Sequence, residues 1–373
     1  MRVYADHAAT TQLDTDAFEA MKPFLLNEFG NASQPYSFAR TAKAALKSAR
    51  ATIAKCINAD PEEIYFTSGG TESDNWAIKS TVLVFGDNRA TITSQIEHHA
   101  VLRACHAMER MGFPVVYLPV DSKGVVQTDI LAEHIDSSTK LVSIMYANNE
   151  IGTIQPIKEL CEIAHSKGAL FHTDAVQAVG HIPIDVKALN IDMLSASAHK
   201  FNAPKGIGFL YVKKGTQIAP YADGGTQEFG MRAGTENIAS IVAMAVALEK
   251  NCNRMTSVNA RLIELEERLI SLLEKAGLDF IRNGSNERIS GNISVSFRDS
   301  EGEMLLHRLD LMGISVSTGS ACDSENTQLS HVLEAIHAPE EYAKGTIRIS
   351  LGFENTEEEI THIAESLIKI LKH

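Results

Sequence analysis

Short runs of apolar and β-branched residues alternate with stretches of helical periodicity between about residues 60 and 215. The runs read EIYFT, ATITS, PVVYLPV, LVSIMYA, ALFHTDA, DMLSASA and IGFLYV. Strands that alternate with helices in this way are typical of an α/β layer with a mostly parallel sheet. The pattern therefore predicts a large α/β domain, which we place at residues 13–250.

After about residue 238, the regular alternation of strands and helices gives way to a mixed order of helices and strands. An apolar helix is predicted near residues 238–249 and a separate amphipathic helix from about Ser257 to Ala276. After them come the strand-like runs NISVSF, ISVST and TIRISLG and a final helical stretch, EEEITHIAESLIKILKH. This mixed order predicts a smaller α+β domain, made of residues 1–12 and 251–373.

Composition narrows the class of protein. The chain has 373 residues, is 44% hydrophobic and carries a net charge of −13, which argues against binding nucleic acid phosphates or anionic membrane. The start, MRVYADHAATT, lacks the pattern of a secretory signal. The longest apolar run, Ile238 to Leu248, is shorter than the ~20 residues of a membrane span. We therefore expect a soluble, cytoplasmic protein.

The five cysteines form no C-x-x-C pair, so neither a disulfide framework nor a thiolate zinc site is predicted. Four of them lie in helical patterns: Cys56, Cys105, Cys161 and Cys252. Cys322 lies instead in STGSACDSENTQLS, a stretch typical of an exposed loop, where a thiol can react with another molecule. No histidine motif for a metal is present among the 14 histidines, and no metal site is predicted.

Polar clusters follow the strand-like runs, and ligands of such sheets gather at the carboxyl ends of strands. In FTSGGTESDN, Gly69 and Gly70 would let backbone amides approach a phosphate at a helix start. An ordinary strand-to-helix turn is equally compatible, because Glu72 and Asp74 could satisfy that helix end themselves.

Two further clusters favour cofactor chemistry. Lys200 has Ala, His and Phe neighbours in SASAHKFNAPKG, and an imine-forming lysine needs such a partly buried site. A solvated surface lysine is the alternative. Asp174 either caps the next helix or holds a pyridinium nitrogen protonated. His98 and His99 form an adjacent pair, and such histidines are more often structural than catalytic.

Ten segments closely resemble the cysteine desulfurase family, in family order from residue 4 to residue 352. They are YADHAATT, FGNAS, FTSGGTESDN, EHHAV, NNEIGTIQPI, HTDAVQAVG, SAHKFNAPKGIGFLY, GMRAGTEN, TGSAC and GTIRISLG. The resemblance implies the aspartate aminotransferase type of transferase fold, dependent on pyridoxal 5'-phosphate (PLP). It also implies a homodimer, a PLP-binding large domain and a small domain that carries the nucleophile loop. The TGSAC form of that loop looks like the iron-sulfur and thiolation branch.

The resemblance also implies residue roles. Lys200 is expected to hold PLP covalently, with His98 stacked on the ring and Asp174 paired with the ring nitrogen. The other expected cofactor contacts are Gln177, Gly70, Thr71, Asn149, Ser197, His199 and, across the dimer, Thr235. The expected catalytic residues are Cys322, Lys200 and His98.

Asn31 and Arg348 are expected to hold the substrate carboxylate. Independently of the resemblance, Arg348 alternates with Ile347 and Ile349, so its side chain should leave the apolar face of its strand, where a guanidinium can grip a carboxylate. Gly70 departs from the alanine that many relatives have. The chain ends at LKH, whereas some members carry a longer tail used in scaffold contact.

The implied activity converts L-cysteine to L-alanine and leaves the sulfur on Cys322 as a persulfide. The sulfur would then pass to an acceptor protein for iron-sulfur cluster assembly or thiolation. Three alternatives stay open: a selenocysteine lyase, a cysteine sulfinate desulfinase, and a non-catalytic PLP-binding partner in sulfur transfer. The presence of Lys200, Asp174 and Cys322 together speaks against the last.

Overall fold

The computed structural model describes residues 1–85, 89–319 and 329–372. The strands of these residues are β1 Val3–Tyr4, β2 Ile64–Thr67, β3 Ala90–Ser94, β4 Val115–Leu118, β5 Thr139–Ser143, β6 Leu170–Asp174, β7 Met193–Ser197, β8 Gly208–Val212, β9 Phe280–Arg282, β10 Asn292–Phe297, β11 Ile314–Ser315 and β12 Thr346–Ser350. The α-helices are α1 Thr15–Leu26, α2 Arg40–Cys56, α3 Gly70–Phe85, α4 His99–Arg110, α5 Thr128–His134, α6 Ile157–Ser166, α7 Ile238–Lys275, α8 Gly302–Leu311, α9 His331–Ala335, α10 Glu340–Ala343 and α11 Glu357–Lys372.

The main sheet has seven strands in the order β2-β8-β7-β6-β5-β3-β4. Each of the seven predicted runs supplies one of them. Five of the strands, β4, β3, β5, β6 and β7, pair in parallel. The exception is β8, which is antiparallel to both of its neighbours, β7 and β2. The predicted α/β fold with a mostly parallel sheet is confirmed.

Alternate residues of the strands enter two separate cores. On β6, Phe171 joins the large core cluster and Leu170 packs against the other one; on β7, Leu194 and Met193 divide in the same way. Side chains of a strand alternate between the two faces of a sheet, and a sheet covered on both faces has apolar residues on both. Helix α3 supplies Trp76 to the second of these clusters, with α4 beside it.

A second sheet, with the order β12-β10-β9, is antiparallel, and β1 pairs with β11 in parallel. Ile293 and Val295 of β10, Ile347 of β12 and Ile363 of α11 form a core cluster of their own. Val3 also belongs to it, so the N-terminal strand packs with the C-terminal part of the chain. This is the α+β part of the fold class.

The two helices predicted after residue 238 are wrong, because α7 runs without a break from Ile238 to Lys275. The segment between them, KNCNRMT, contains neither glycine nor proline, so nothing in it interrupts helical hydrogen bonding. The first half of α7 packs Met244 into the large core, and the second half packs Leu269 into the C-terminal core. The predicted domain boundary at residue 250 falls within this helix and stays a prediction. Within the described part of the chain, no helix has the length and apolarity needed to cross a membrane.

Candidate active site

The predicted polar clusters meet at one edge of the seven-stranded sheet. Strands β3, β5, β6 and β7 are parallel, and β2 runs in the same direction because it and β7 are both antiparallel to β8. Their carboxyl ends therefore lie side by side, as in other α/β sheets that bind ligands at this edge. The clusters that follow them are 68–71, 97–99, 148–150, 174–177 and 197–200.

Lys200 lies in the short 3-10 turn Ala198–Lys200, directly after β7. Its Nζ donates hydrogen bonds to the carbonyl oxygens of Ala8 at 2.6 Å and Ala9 at 2.9 Å. The side-chain amide of Gln177 donates to the same Ala8 oxygen at 3.0 Å. The amine is thus held in a half-buried position, and the alternative of a solvated surface lysine is wrong.

Asp174 is the last residue of β6 and is 5% exposed. One carboxylate oxygen, Oδ1, accepts a hydrogen bond from the backbone N–H of Val176 at 2.9 Å. Burial raises the pKa of the Asp174 carboxyl, while the hydrogen bond from Val176 and the nearby Lys200 charge lower it. A cation beside this carboxylate would therefore be strongly favoured.

His98 immediately precedes α4, and its Nδ1 accepts the backbone N–H of Ala100 at 3.1 Å. Burial, assisted by the positive charge of Lys200, lowers the pKa of His98 to about 4. The imidazole is therefore neutral at pH 7, with its proton on Nε2. His99 points elsewhere and packs against His331, with 5.0 Å between ring centroids and ring planes tilted by 44°.

The glycine turn after β2 approaches Ser197 at the end of β7. A Cβ added to Gly69 would lie 3.4 Å from the Ser197 hydroxyl oxygen, and one added to Gly70 would lie 2.5 Å from Cγ2 of Val176. The backbone at Gly70 thus comes closer to Val176 than a side chain would allow, whereas at Gly69 the positive φ of 149° is what favours glycine. Thr71 is exposed in the first turn of α3.

Glu72 does not close this helix start. Its carboxylate accepts the Ser68 amide at 3.0 Å and pairs with Arg232 at 2.9 Å. It is therefore bound before the two glycines rather than at the amides of Gly70 and Thr71. On the other side of the site, His199 contacts the hydroxyl of Thr10 at 3.2 Å, and burial lowers the pKa of His199 to about 4.

Arg348 lies on β12 and is 4% exposed. Its terminal nitrogens donate to the carbonyl oxygen of Asn149 at 2.9 Å and to the carboxylate of Asp6 at 2.7 Å. Its Nε is buried without a hydrogen-bond partner among the described residues. As the alternation predicts, the side chain leaves the face on which Ile347 and Ile349 are packed.

Asn31 is not brought into this cluster, Thr235 lies beside its glycine turn, and Cys322 cannot be placed. Asn31 lies between α1 and α2, where its side-chain oxygen accepts the Ser33 amide at 2.9 Å. Thr235 is exposed and lines a cavity of about 240 Å³ with Thr67 and Ser68. Cys322 lies outside the described residues.

Sequence reasoning missed several contributors. The carbonyls of Ala8 and Ala9 and the carboxylate of Asp6 come from the YADHAATT motif. This motif contributed to the family resemblance, but no role was predicted for these three residues. Glu150 also lies in a recognised polar cluster, and it is buried beside Arg348. In the described ranges, no group of three or more His, Cys, Asp or Glu side chains is placed to hold a metal ion.

Comparison with known proteins explains this arrangement. The family model described as "Aminotransferase class-V" matches residues 3–363. The protein named "Cysteine desulfurase IscS" of Dictyoglomus turgidum is 49% identical over 372 residues, which cover 99% of this chain and 94% of that protein. This chain belongs to the cysteine desulfurase family of class-V aminotransferases. The predicted family is thereby confirmed.

Solved structures agree. A structure titled "NIFS-LIKE PROTEIN" has a TM-score of 0.94 and 39% identity and covers 100% of both chains. Another, titled "SspA in complex with cysteine", has a TM-score of 0.84 and 36% identity over 94% of this chain and 99% of that one. The fold of this family member is therefore the predicted PLP-dependent transferase fold.

PLP is the cofactor of class-V aminotransferases, and the donor set at the sheet edge fits it. The half-buried Lys200 amine suits an imine, the buried Asp174 carboxylate suits a protonated ring nitrogen, and the neutral His98 ring suits stacking. The close backbone approach at Gly69 and Gly70, at the start of α3, suits a phosphate. The residues present therefore match each part of the predicted cofactor.

Proposed function

We propose that this chain is a cysteine desulfurase that converts L-cysteine to L-alanine and holds the sulfur on Cys322 as a persulfide. The observation that carries the proposal is the position of the half-buried Lys200 amine, held by the Ala8 and Ala9 carbonyls at the sheet edge where β6 ends in Asp174 and where His98 precedes α4. The name of the 49% identical relative supports the same activity.

Bound PLP would act as an electron sink for the charge that develops at the substrate Cα. Lys200 is proposed to bind the cofactor and, once displaced by substrate, to remove the Cα proton. Asp174 would hold the proton on the ring nitrogen, and Gln177 would contact the phenolic oxygen. His98 would stack on the ring, and because its Nδ1 accepts the Ala100 N–H, the proton it could donate is the one on Nε2.

The phosphate is proposed to bind at Gly70 and Thr71 on one side and at Ser197 and His199 on the other. These residues follow β2 and β7, which lie on either side of β8. The helix start supplies backbone N–H groups, which favour an anion. Asn149, whose carbonyl already binds Arg348, completes the cofactor contacts.

Arg348 and Asn31 are proposed to bind the substrate carboxylate. The buried Nε of Arg348 is a donor without a partner among the described residues, and a buried unpaired donor is costly. A carboxylate that accepts from Nε and one terminal nitrogen would remove that cost. Asp6, which accepts from a terminal nitrogen of Arg348 at 2.7 Å, holds the guanidinium in place.

Cys322 is proposed to attack the sulfur of L-cysteine as a thiolate. The new S–S bond forms as the Cβ–S bond breaks, and protonation of the remaining carbon fragment gives alanine. The sum is cysteine plus a thiol giving alanine plus a persulfide, so no external oxidant or reductant is needed. A sulfur-acceptor protein, either an iron-sulfur scaffold or a thiolation enzyme, would then receive the outer sulfur.

We also propose a homodimer in which Thr235 reaches the phosphate of the neighbouring subunit. Its exposure on the segment after Arg232 supports this role. A cytoplasmic location is proposed from the net charge and the cysteine pattern. The division into a large domain at 13–250 and a small domain at 1–12 and 251–373 belongs to the same proposal.

The test is a single turnover of the PLP-loaded enzyme with L-cysteine. Alanine should form in a one-to-one ratio with one added sulfur atom on the peptide that contains Cys322. Cys322→Ser should keep bound PLP and lose both products, whereas the control Cys252→Ser should keep both. Alanine formation at the wild-type rate by Cys322→Ser would refute the proposal.

A further inference from the structure

One short stretch of chain near the N-terminus holds both the proposed imine-forming lysine and the proposed carboxylate-binding arginine. Oδ1 of Asp6 accepts from a terminal nitrogen of Arg348 at 2.7 Å. Two and three residues later, the carbonyl oxygens of Ala8 and Ala9 accept from Nζ of Lys200 at 2.6 and 2.9 Å. The two groups that an amino-acid substrate must reach at the same time are therefore attached to the same four residues.

This stretch is itself fixed to the strand that carries Arg348. Ser350, two residues further along β12, donates its N–H to the Ala5 carbonyl at 2.8 Å, and its carbonyl accepts the His7 N–H at 3.1 Å. The hydroxyl of Ser350 accepts the Ala8 N–H at 2.9 Å. These bonds lie on both sides of the aspartate, so its backbone is held beside the arginine.

The donors of the guanidinium are divided between the protein and the proposed substrate. One terminal nitrogen of Arg348 donates to the Asn149 carbonyl at 2.9 Å and the other to Asp6, whereas Nε is buried without a partner among the described residues. Another buried carboxylate near Arg348, that of Glu150, accepts from Ser330. A substrate carboxylate bound at Nε would therefore share the positive charge of Arg348 with Asp6.

Two carboxylates on one guanidinium repel each other. The side chains of Arg348 and Asp6 are only 5% and 19% exposed, so water and salt screen this repulsion less than they would at a surface. Asp6 thus has two opposing effects on a bound carboxylate. Its hydrogen bond orients Arg348 and favours binding, whereas its negative charge disfavours binding.

The opposing effects suit the proposed reaction. L-Alanine, the proposed product, keeps the same carboxylate and amine as L-cysteine, so a site that holds the carboxylate too tightly would also retain the product. Binding that is equally strong for substrate and transition state lowers KM without raising kcat. A partial counter-charge on Arg348 therefore limits affinity that would not accelerate the reaction.

We infer that Asp6 sets the affinity of the active site for the carboxylate of substrate and product: its position orients Arg348, and its charge limits how tightly the carboxylate is held. The inference rests on the proposed function, in particular on Arg348 as the carboxylate-binding residue. Asp6 contacts no reacting atom in this scheme and is a positioning residue.

The test compares Asp6→Asn and Asp6→Ala in the PLP-loaded enzyme. L-Alanine binding, followed by the change in PLP absorbance, should become about threefold tighter or more in Asp6→Asn, which keeps an acceptor oxygen but removes the like charge. It should become about threefold weaker or more in Asp6→Ala, because Arg348 loses the hydrogen bond that orients it. KM for L-cysteine should change in the same two directions.

Two simpler probes separate the carboxylate from the amine. Propionate has the carboxylate alone, and its competition with L-alanine should strengthen in Asp6→Asn and weaken in Asp6→Ala. Ethylamine has the amine alone, and its effect on PLP absorbance should stay within about twofold of wild type in both variants. Asp279 and Arg298 form an exposed pair at 3.3 Å, with both side chains at least half exposed. The matched controls Asp279→Asn and Asp279→Ala should therefore leave all of these affinities unchanged.

Each other outcome is also decisive. Shifts of L-alanine affinity in the same direction in Asp6→Asn and Asp6→Ala, no shift in either, or equal shifts for ethylamine would overturn the inference. If Asp6→Ala yields no folded protein, Asp6→Ser, which is too short to keep the hydrogen bond, replaces it in the same measurements.

Failure of the proposed function is distinguishable from failure of the inference. A wild-type enzyme that makes no alanine from L-cysteine would refute the proposed function, whereas the L-alanine and propionate affinities would still confirm or refute the role of Asp6. A wild-type enzyme that binds L-alanine no more tightly than ethylamine would show that Arg348 does not hold the carboxylate, and the inference would be wrong.

Discussion

Substitution of Glu228 by glutamine should lower the stability of the folded protein far more than so small a chemical change would suggest. Glu228 and Arg50 form a two-pronged ion pair, with two N···O distances of 2.7 Å and side chains 3% and 10% exposed. The backbone N–H of Phe66 donates to the same carboxylate at 2.9 Å. Glu228→Gln keeps the shape but leaves the Arg50 guanidinium buried without a counter-charge.

The expected cost follows from burial. Removing one partner of a buried ion pair costs about 3–5 kcal/mol, because the other charge stays desolvated. For 373 residues, an unfolding entropy of about 2.1 cal/mol/K per residue gives about 0.8 kcal/mol/K. The expected decrease in melting temperature is therefore about 4–6 °C.

Differential scanning calorimetry of the PLP-loaded protein measures this decrease, and Glu19→Gln is the matched control. Glu19 pairs with Lys22 at 3.3 Å, but both side chains are at least half exposed, and such pairs contribute about 0.3–0.5 kcal/mol. Glu19→Gln should therefore change the melting temperature by less than about 1 °C. The double variant Arg50→Met/Glu228→Gln should be less destabilised than the sum of its single variants. Equal decreases for Glu228→Gln and Glu19→Gln would refute the reasoning.

Three further predictions follow. Lys200→Ala should lose the yellow colour of an imine-bound cofactor, and a borohydride-reducible link in that variant, detected by mass spectrometry, would contradict the assignment of Lys200. Mixed dimers of Thr235→Ala and Lys200→Ala subunits should regain activity, because one of their two active sites contains both substitutions and the other contains neither. Inactive mixed dimers would exclude a shared site. Burial raises the pKa of Glu97 to about 8 from an ordinary 4.5, so its contribution to stability is complete below pH 4.5 and is lost as the pH rises through 8. Glu97→Gln, which imitates the neutral form, should therefore melt at a higher temperature relative to wild type at pH 9 than at pH 5, and a pH-independent difference would show that Glu97 does not titrate in this way.

Much of the fold was available from local pattern. The seven runs from EIYFT to IGFLYV each form a strand of the main sheet, because strand residues buried on both faces must be apolar for several positions in succession. Polar residues that interrupt such runs at their ends mark the ligand edge of a parallel sheet. Lys200, Asp174 and Ser197 were found in this way, and the motif order identified the family and its cofactor.

Tertiary structure decided the contacts between distant segments. Arg50 and Glu228 are 178 positions apart, and Glu150 and Ser330 are 180 apart. The Ala8 and Ala9 carbonyls that hold Lys200 belong to a segment whose strand packs in a different core. The antiparallel direction of strand β8 and the continuity of α7 could not be predicted from the sequence for a related reason. Apolar periodicity indicates that a face is buried, but not which partner buries it. The sequence by itself thus determined the elements and the chemistry at the strand ends, whereas the partners of its buried charges emerged only when the chain was folded.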